Sequence, residues 1–286
     1  MANLKEIRNR ISSVSSTMQI TSAMKMVSAA KLKKAQDAIT AMRPYADKLT
    51  ELLQSLSATL DADTGSKYAN QREVKKVLLV PITSNRGLAG AFNSNIIKET
   101  TKLVSEIYAN HEVSYLAIGK KANDAFKKSD KVIADKSEVY DNLTFENVAE
   151  IAELLMNKFA SGEVDKVVLV YNKFKNAATQ EIMTEQFLPS VPVEGDADVN
   201  IDYIFEPSKI EIVEQLIPKS LKTQLYKAIR DSFASEHGAR MTAMHKATDN
   251  ATELRDQLKL TYNKARQAAI TNEILEIVGG AEALNN

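Results

Sequence analysis

The sequence predicts an α/β protein in which a doubly wound domain is inserted between two long terminal helices, paired as a long antiparallel coiled coil. Three observations carry this. The 286 residues include only 9 Gly and 6 Pro, which favours long uninterrupted elements over many turns. Both ends of the chain place apolar side chains at alternating spacings of three and four, the mark of a left-handed coiled coil. Between them, β-rich runs alternate with helical ones, as layered α/β folds require.

The first helix is read from a seam that begins at Leu4, Ile7, Ile11, Val14 and Met18 and continues to Leu60; 14 of its 17 positions are apolar. Thr21, Lys25 and Ser28 interrupt it in succession, and Pro44 marks a kink or short break. The middle begins with a strand at Lys75–Ser84 and a helix over 93–109. A strand at Glu112–Gly119, a helix over 120–128 and a short strand near Val132 follow. Thr144–Ala160 is an amphipathic helix, capped by Thr144 and ended by Gly162. Asp165–Phe174 is a buried-type strand, with further strands at Glu181–Pro189 and Val199–Phe205. The last helix runs from about 209 to about 278, with a seam at positions 244, 247, 251, 254, 258, 261, 265, 268, 272 and 275. At ~1.5 Å per residue it would be roughly 105 Å long, so an elongated molecule is expected. The segments are therefore 1–65, an N-terminal coiled-coil helix; 70–207, a Rossmann-like α/β domain; and 208–286, a C-terminal coiled-coil helix.

Composition narrows the function. Lys+Arg and Asp+Glu are 37 each, which argues against a bulk nucleic-acid binder. The zero balance hides a split: residues 1–60 carry +5, 61–208 carry −6 and 209–286 carry +1. With no Cys, disulfide, thiolate and Cys-type zinc chemistry are excluded. No apolar run approaches the ~18 residues of a membrane span. The N-terminus enters the heptad pattern at once, so no signal peptide is read and a bacterial-type cytoplasm is expected.

No catalytic constellation stands out. Arg86–Phe92 (RGLAGAF) sits where a phosphate loop would, but neither glycine-rich phosphate motif is present, and a tight strand-to-helix turn is the favoured reading. His237 and His245 are too far apart for an i, i+4 zinc pair. Glu273 and Glu276 read as a solvated face or partner contacts. The distinctive stretch is Ile20–Ala30. Its Ile20, Ala23, Met24, Met26, Val27, Ala29 and Ala30 spread apolar groups around much of the helix. A two-stranded coiled coil buries one seam only, so this collar calls for a further partner surface, for which methionine is an adaptable choice. Lys31, Lys33 and Lys34 follow directly and suggest acidic groups on that partner.

These residues resemble the γ subunit of F-type ATP synthases over essentially the whole length. The C-terminal pattern Ile270-Thr271, Glu273, Glu276, Gly280-Ala281 and Ala283 fits the family signature. Tyr262–Gln267, Ser235–Met241, Arg10-Ile11 through Ile20-Thr21, Ala23-Met24, Val27 and Lys31 are also similar to family sequence. So are Ser84, Arg86-Gly87-Leu88, Gly90 and Phe92-Asn93 in the middle domain, and Glu206-Pro207 at its end. Gln19 and Asn85 depart from the Lys and Asp usual in the family.

The resemblance implies a bacterial, non-catalytic rotor shaft that couples ion flow through a membrane ring to conformational cycling of catalytic sites on other subunits. Its implied partners are the α and β subunits of the F1 ring, the ε subunit and the c ring of Fo. Met24, Met26, Lys31, Lys33, Arg240, Arg266, Gln267, Thr271 and Glu273 would face the α/β ring, and Tyr203, Phe205 and Glu206 the c ring. The chain itself would bind no cofactor; ATP, ADP and Mg would belong to partner subunits. It would lie peripherally on the cytoplasmic face of the inner membrane. The competing reading is a coiled-coil adaptor whose α/β domain binds a nucleotide at the Gly87 loop. A nucleic-acid-binding helix is a third, resting only on the +5 of residues 1–60.

Overall fold

The computed structural model describes residues 4–57, 68, 71–129, 131–190 and 209–285. It contains α1 (Leu4–Ser57), β1 (Lys76–Pro81), α2 (Phe92–Lys102), β2 (Glu112–Ala117), α3 (Lys120–Phe126), β3 (Val132–Asp135), α4 (Phe145–Ala160), β4 (Lys166–Phe174), β5 (Gln180–Leu188) and α5 (Lys209–Asn285). Two compact units result: Met1–Ser28 with Met241–Asn286, and Ala29–Arg240. Both long helices contribute to both units.

The seam expected for α1 is the face that is covered. Ile7, Thr21, Ser28, Leu32, Ala35, Ile39 and Leu49 are buried along it. Pro44 lies inside the helix, so the break expected there is not a helix end. The missing N–H removes one ladder bond and the rest of the ladder continues.

The second unit holds a five-stranded sheet in the order β3-β2-β1-β4-β5. Its first four strands are parallel and β5 runs antiparallel to β4 along the edge. Central β1 and β4 read as continuous apolar runs because both of their faces are covered. One face packs Leu78, Val80, Leu116, Val167 and Leu169 against α4 and against Leu221, Leu225, Ala228 and Ile229 of α5. The other packs Val77, Leu79, Val113, Tyr115, Val168 and Val170 against Ile96 and Leu103, and against Ala122 and Phe126 of α3. The α/β core thus draws on residues beyond 207.

Local chemistry sets the boundaries. Thr144 caps α4, its hydroxyl oxygen accepting from the Asn147 N–H at 3.3 Å. Gly162 follows the helix at φ +80°. The helix expected over 93–109 ends its regular α form at Lys102 and closes with a wider turn over Leu103–Ile107, where the Tyr108 N–H bonds to the Leu103 carbonyl at 2.9 Å. The wider turn lets both Leu103 and Tyr108 be buried. Gly119 has φ +105°, and a Cβ there would stand 2.2 Å from the Thr83 carbonyl oxygen. α5 continues past the expected end near 278, through Gly279 and Gly280. The strand expected over 199–205 lies outside the described residues, as do Tyr203, Phe205 and Glu206.

Candidate functional site

In the first unit α1 and α5 run antiparallel. Arg8 Nη2 donates to the Tyr262 hydroxyl at 2.7 Å, and its guanidinium lies 5.6 Å from the ring centroid. Thr252 Oγ1 and Arg255 Nη1 donate to Met18 Sδ at 3.3 and 3.5 Å. The hydroxyls of Thr21 and Thr248 meet at 2.8 Å, which explains how a polar Thr21 holds a buried seam position. The α5 seam differs from the expected one. It runs through Met244, Thr248, Ala251, Arg255, Leu258, Tyr262 and Ala265, whereas Leu254 and Thr261 are exposed. On the covered face Arg255 and Tyr262 reach across the helix pair to Met18 and Arg8, while Leu254 is turned outward.

The collar stands out of this pair. Ile20, Met26 and Val27 are 60%, 64% and 57% exposed, with Met24 half-buried. Lys31 and Lys33 are exposed, and Lys33 pairs with Asp37 at 2.9 Å. At the other end, residues 266–281 are exposed on all sides, including Arg266, Gln267, Thr271 and Glu273. This stretch also carries Ile270, Ile274, Leu275, Ile277 and Val278, exposed among the described residues.

Arg240 departs from the expectation of a partner-facing residue: it is 7% exposed and turned into its own unit. Nη1 donates to Glu236 Oε1 at 2.6 Å, and Nη2 donates to the carbonyls of Arg86 and Gly87 at 3.3 and 3.2 Å. The guanidinium is suited to this because its planar fork serves several acceptors at once. The Gly87 loop therefore turns carbonyl oxygens toward a cation of its own chain, the opposite polarity from N–H groups cradling a phosphate. Burial pushes the Glu236 carboxyl up, against the pull of Arg240, Lys31 and Arg86. Burial, then Arg240 and Lys31, lower the His237 imidazole to about 3. His237 Nδ1 lies 3.5 Å from Arg240 Nη1, and Nε2 is buried without a hydrogen bond. Sequence reading missed this cluster; the signal available was charged Glu236 and Arg240 one turn apart beside a glycine.

Asn85 shows why an amide suits its place. Its Nδ2 donates to the Ser137 carbonyl at 3.0 Å while its Oδ1 accepts from the Lys120 N–H at 3.0 Å. A carboxylate could make only the second bond. Gln19 is exposed.

A helix pair with an uncovered collar and tip, joined to an α/β unit, defines a class of protein: a helical stalk that acts through the surfaces it presents to others. A family model described as ATP synthase matches residues 3–284. The ATP synthase gamma chains of Flavobacterium psychrophilum and Flavobacterium johnsoniae are each 74% identical, over 99% and 100% of this chain and of theirs respectively. Among solved structures, the Tetrahymena thermophila mitochondrial ATP synthase central stalk/c-ring structure matches at 27% identity and TM-score 0.59, covering 80% of this chain and 99% of that one. The Euglena gracilis mitochondrial ATP synthase rotor shares the fold, with TM-score 0.67 over 93% of this chain and 98% of that one, at 23% identity. The chain belongs to the bacterial ATP synthase gamma chain family. It is a non-catalytic subunit with the central-stalk role in rotary coupling, the catalytic sites lying on the beta subunits. Among the described residues, no helix is long and apolar enough to cross a membrane.

Proposed function

We propose that the helix pair works inside the ring of α and β subunits of F1, and that the α/β domain meets the ε subunit and the c ring. Ion flow through the c ring turns this chain, and its asymmetric surface meets the three β subunits in different ways. A shaft need form no bond that persists; it need only bind the conformations of each β subunit unequally to shift their populations. The observation that carries this reading is the exposure of Ile20, Met26 and Val27 on faces that the helix pair leaves open. Arg266, Gln267, Thr271 and Glu273 supply polar contacts to the ring, with Lys31 and Lys33 beside the collar. Arg266 suits a carboxylate partner because a charge-assisted fork is stronger than a neutral bond. Tyr203, Phe205 and Glu206 form the contact with the c ring. The chain binds no nucleotide; ATP, ADP and Mg remain with the partner subunits. As a subunit of that assembly it lies peripherally on the cytoplasmic face of the inner membrane.

Single engineered thiols test this cleanly, because the chain has no Cys. Tyr203→Cys cross-linked to a c subunit ties parts that turn together, and ATPase turnover should survive. Lys33→Cys cross-linked to β ties moving to fixed parts, and turnover should stop until reductant is added. Undiminished multi-turnover ATPase with the β cross-link in place would rule out rotation of this chain as the mechanism.

A further inference from the structure

We propose that Arg240, backed by Glu236, is a positioning residue that clasps the Arg86–Gly90 loop to α5, so that torque on the α/β domain enters the helix at this point. The inference rests on the central-stalk role and adds where the turning force is handed over. Ile229 is the last residue that α5 gives to the main apolar core; beyond it Phe233 stacks on Tyr140 at 6.2 Å and Ala234 is buried, and the clasp lies eleven residues past Ile229, roughly 16 Å along the helix at ~1.5 Å per residue. Apolar packing is non-directional, but hydrogen bonds fix an angle about the helix axis.

The clasp is built as a fixed joint. The loop is held from its other side by Asn85, which bridges Ser137 and Lys120, and by Ser84, whose N–H donates to Asn93 Oδ1 at 2.9 Å. One turn earlier on α5, Ser235 Oγ donates to the Asn172 carbonyl at 3.0 Å, and Asn172 Nδ2 donates to the Phe92 carbonyl at 3.1 Å. At Gly238 an added Cβ would stand 3.2 Å from Ala177 Cα, so the helix touches backbone there. The loop also holds Leu88 at φ +61°, a conformation that persists only where surroundings impose it. Arg240 supplies what no neighbour can: one buried cation donating to two consecutive loop carbonyls, with its own charge met by Glu236.

The test compares Arg240→Met with the double variant Glu236→Leu/Arg240→Met in assembled complexes. Replacing a buried ion pair by apolar groups is often neutral for stability, so a merely structural pair predicts a double variant that behaves as wild type. The clasp predicts that both variants fail alike, because both free the Gly87 carbonyl and leave the Arg86 carbonyl bonded only to Ser84 and Asn93, neither of which belongs to α5. The amides of Ser84 and Phe92, which flank the loop and donate to Asn93 Oδ1 and the Ala89 carbonyl, should then exchange roughly ten-fold faster. A rod attached through Lys128→Cys, in complexes fixed by the catalytic ring and stalled without nucleotide, should fluctuate more widely in angle than in wild type. Unchanged exchange, or faster exchange with unchanged rod fluctuation, would overturn the proposal. A wild-type rod that fails to turn when ATP is added would instead overturn the central-stalk reading, and the proposal with it.

Discussion

His237 is the residue at which pH and stability are most directly linked. Folded, its imidazole is held neutral, with its titration lowered from 6.5 to about 3 by burial and by Arg240 and Lys31. Unfolded, it takes up a proton near 6.5, so the unfolded chain binds more protons in between. Its stabilising contribution is therefore whole above pH 6.5 and is lost as pH falls toward about 3. Glu236 acts in the opposite sense: its carboxyl is raised by burial, so its contribution is greatest below its unfolded value and fades as pH rises. His237→Gln should therefore flatten the fall in melting temperature below pH 6.5. Parallel melting curves for variant and parent across that window would show that the imidazole is not the group responsible.

Along the helices, sequence periodicity and structure can be separated by mutation. Met244 and Leu254 both fall on the seam read from α5, yet Met244 is 5% exposed and Leu254 46%. Met244→Ala should cost about 2–3 kcal/mol in thermal or urea unfolding, and Leu254→Ala within ~0.5 kcal/mol. Equal losses would restore the seam expected from spacing alone. The seam of α1 was legible because its apolar positions outnumber the interruptions. That of α5 was not, since its alanines make several registers look alike and the deciding contacts, Arg255 to Met18 and Arg8 to Tyr262, join residues far apart in sequence. The sheet was legible from the apolar runs of β1, β2 and β4 and from the cap at Thr144. The Arg240 clasp was hidden for the same reason as the α5 seam: a buried arginine reads as a surface arginine until its distant acceptors are known. The collar, by contrast, declares itself locally, through apolar residues on faces a single seam cannot cover.

For the molecule as a whole, the two ends of the chain depend on each other and on what surrounds them. Residues 268–281 of α5 lie past the last half-buried seam residue, Ala265, and are exposed. A helical stretch of this length without packing is marginal in water. In the isolated chain its amides should exchange far faster than those of 244–262, and assembly should slow them. Equal protection of both stretches in the isolated chain would contradict this. The pairing of Arg8 with Tyr262 spans 254 residues of sequence, and that distance is also an interval of time. At ~5–20 residues per second, the partner of the first helix leaves the ribosome roughly 13–50 s after the helix itself. Throughout that interval the opening segment waits with its seam bare, while the α/β domain, made in between, can already close its sheet. The start of the chain is thus the first part synthesised and among the last to find its place, and a newborn chain needs shelter for its opening helix before it needs a motor to join.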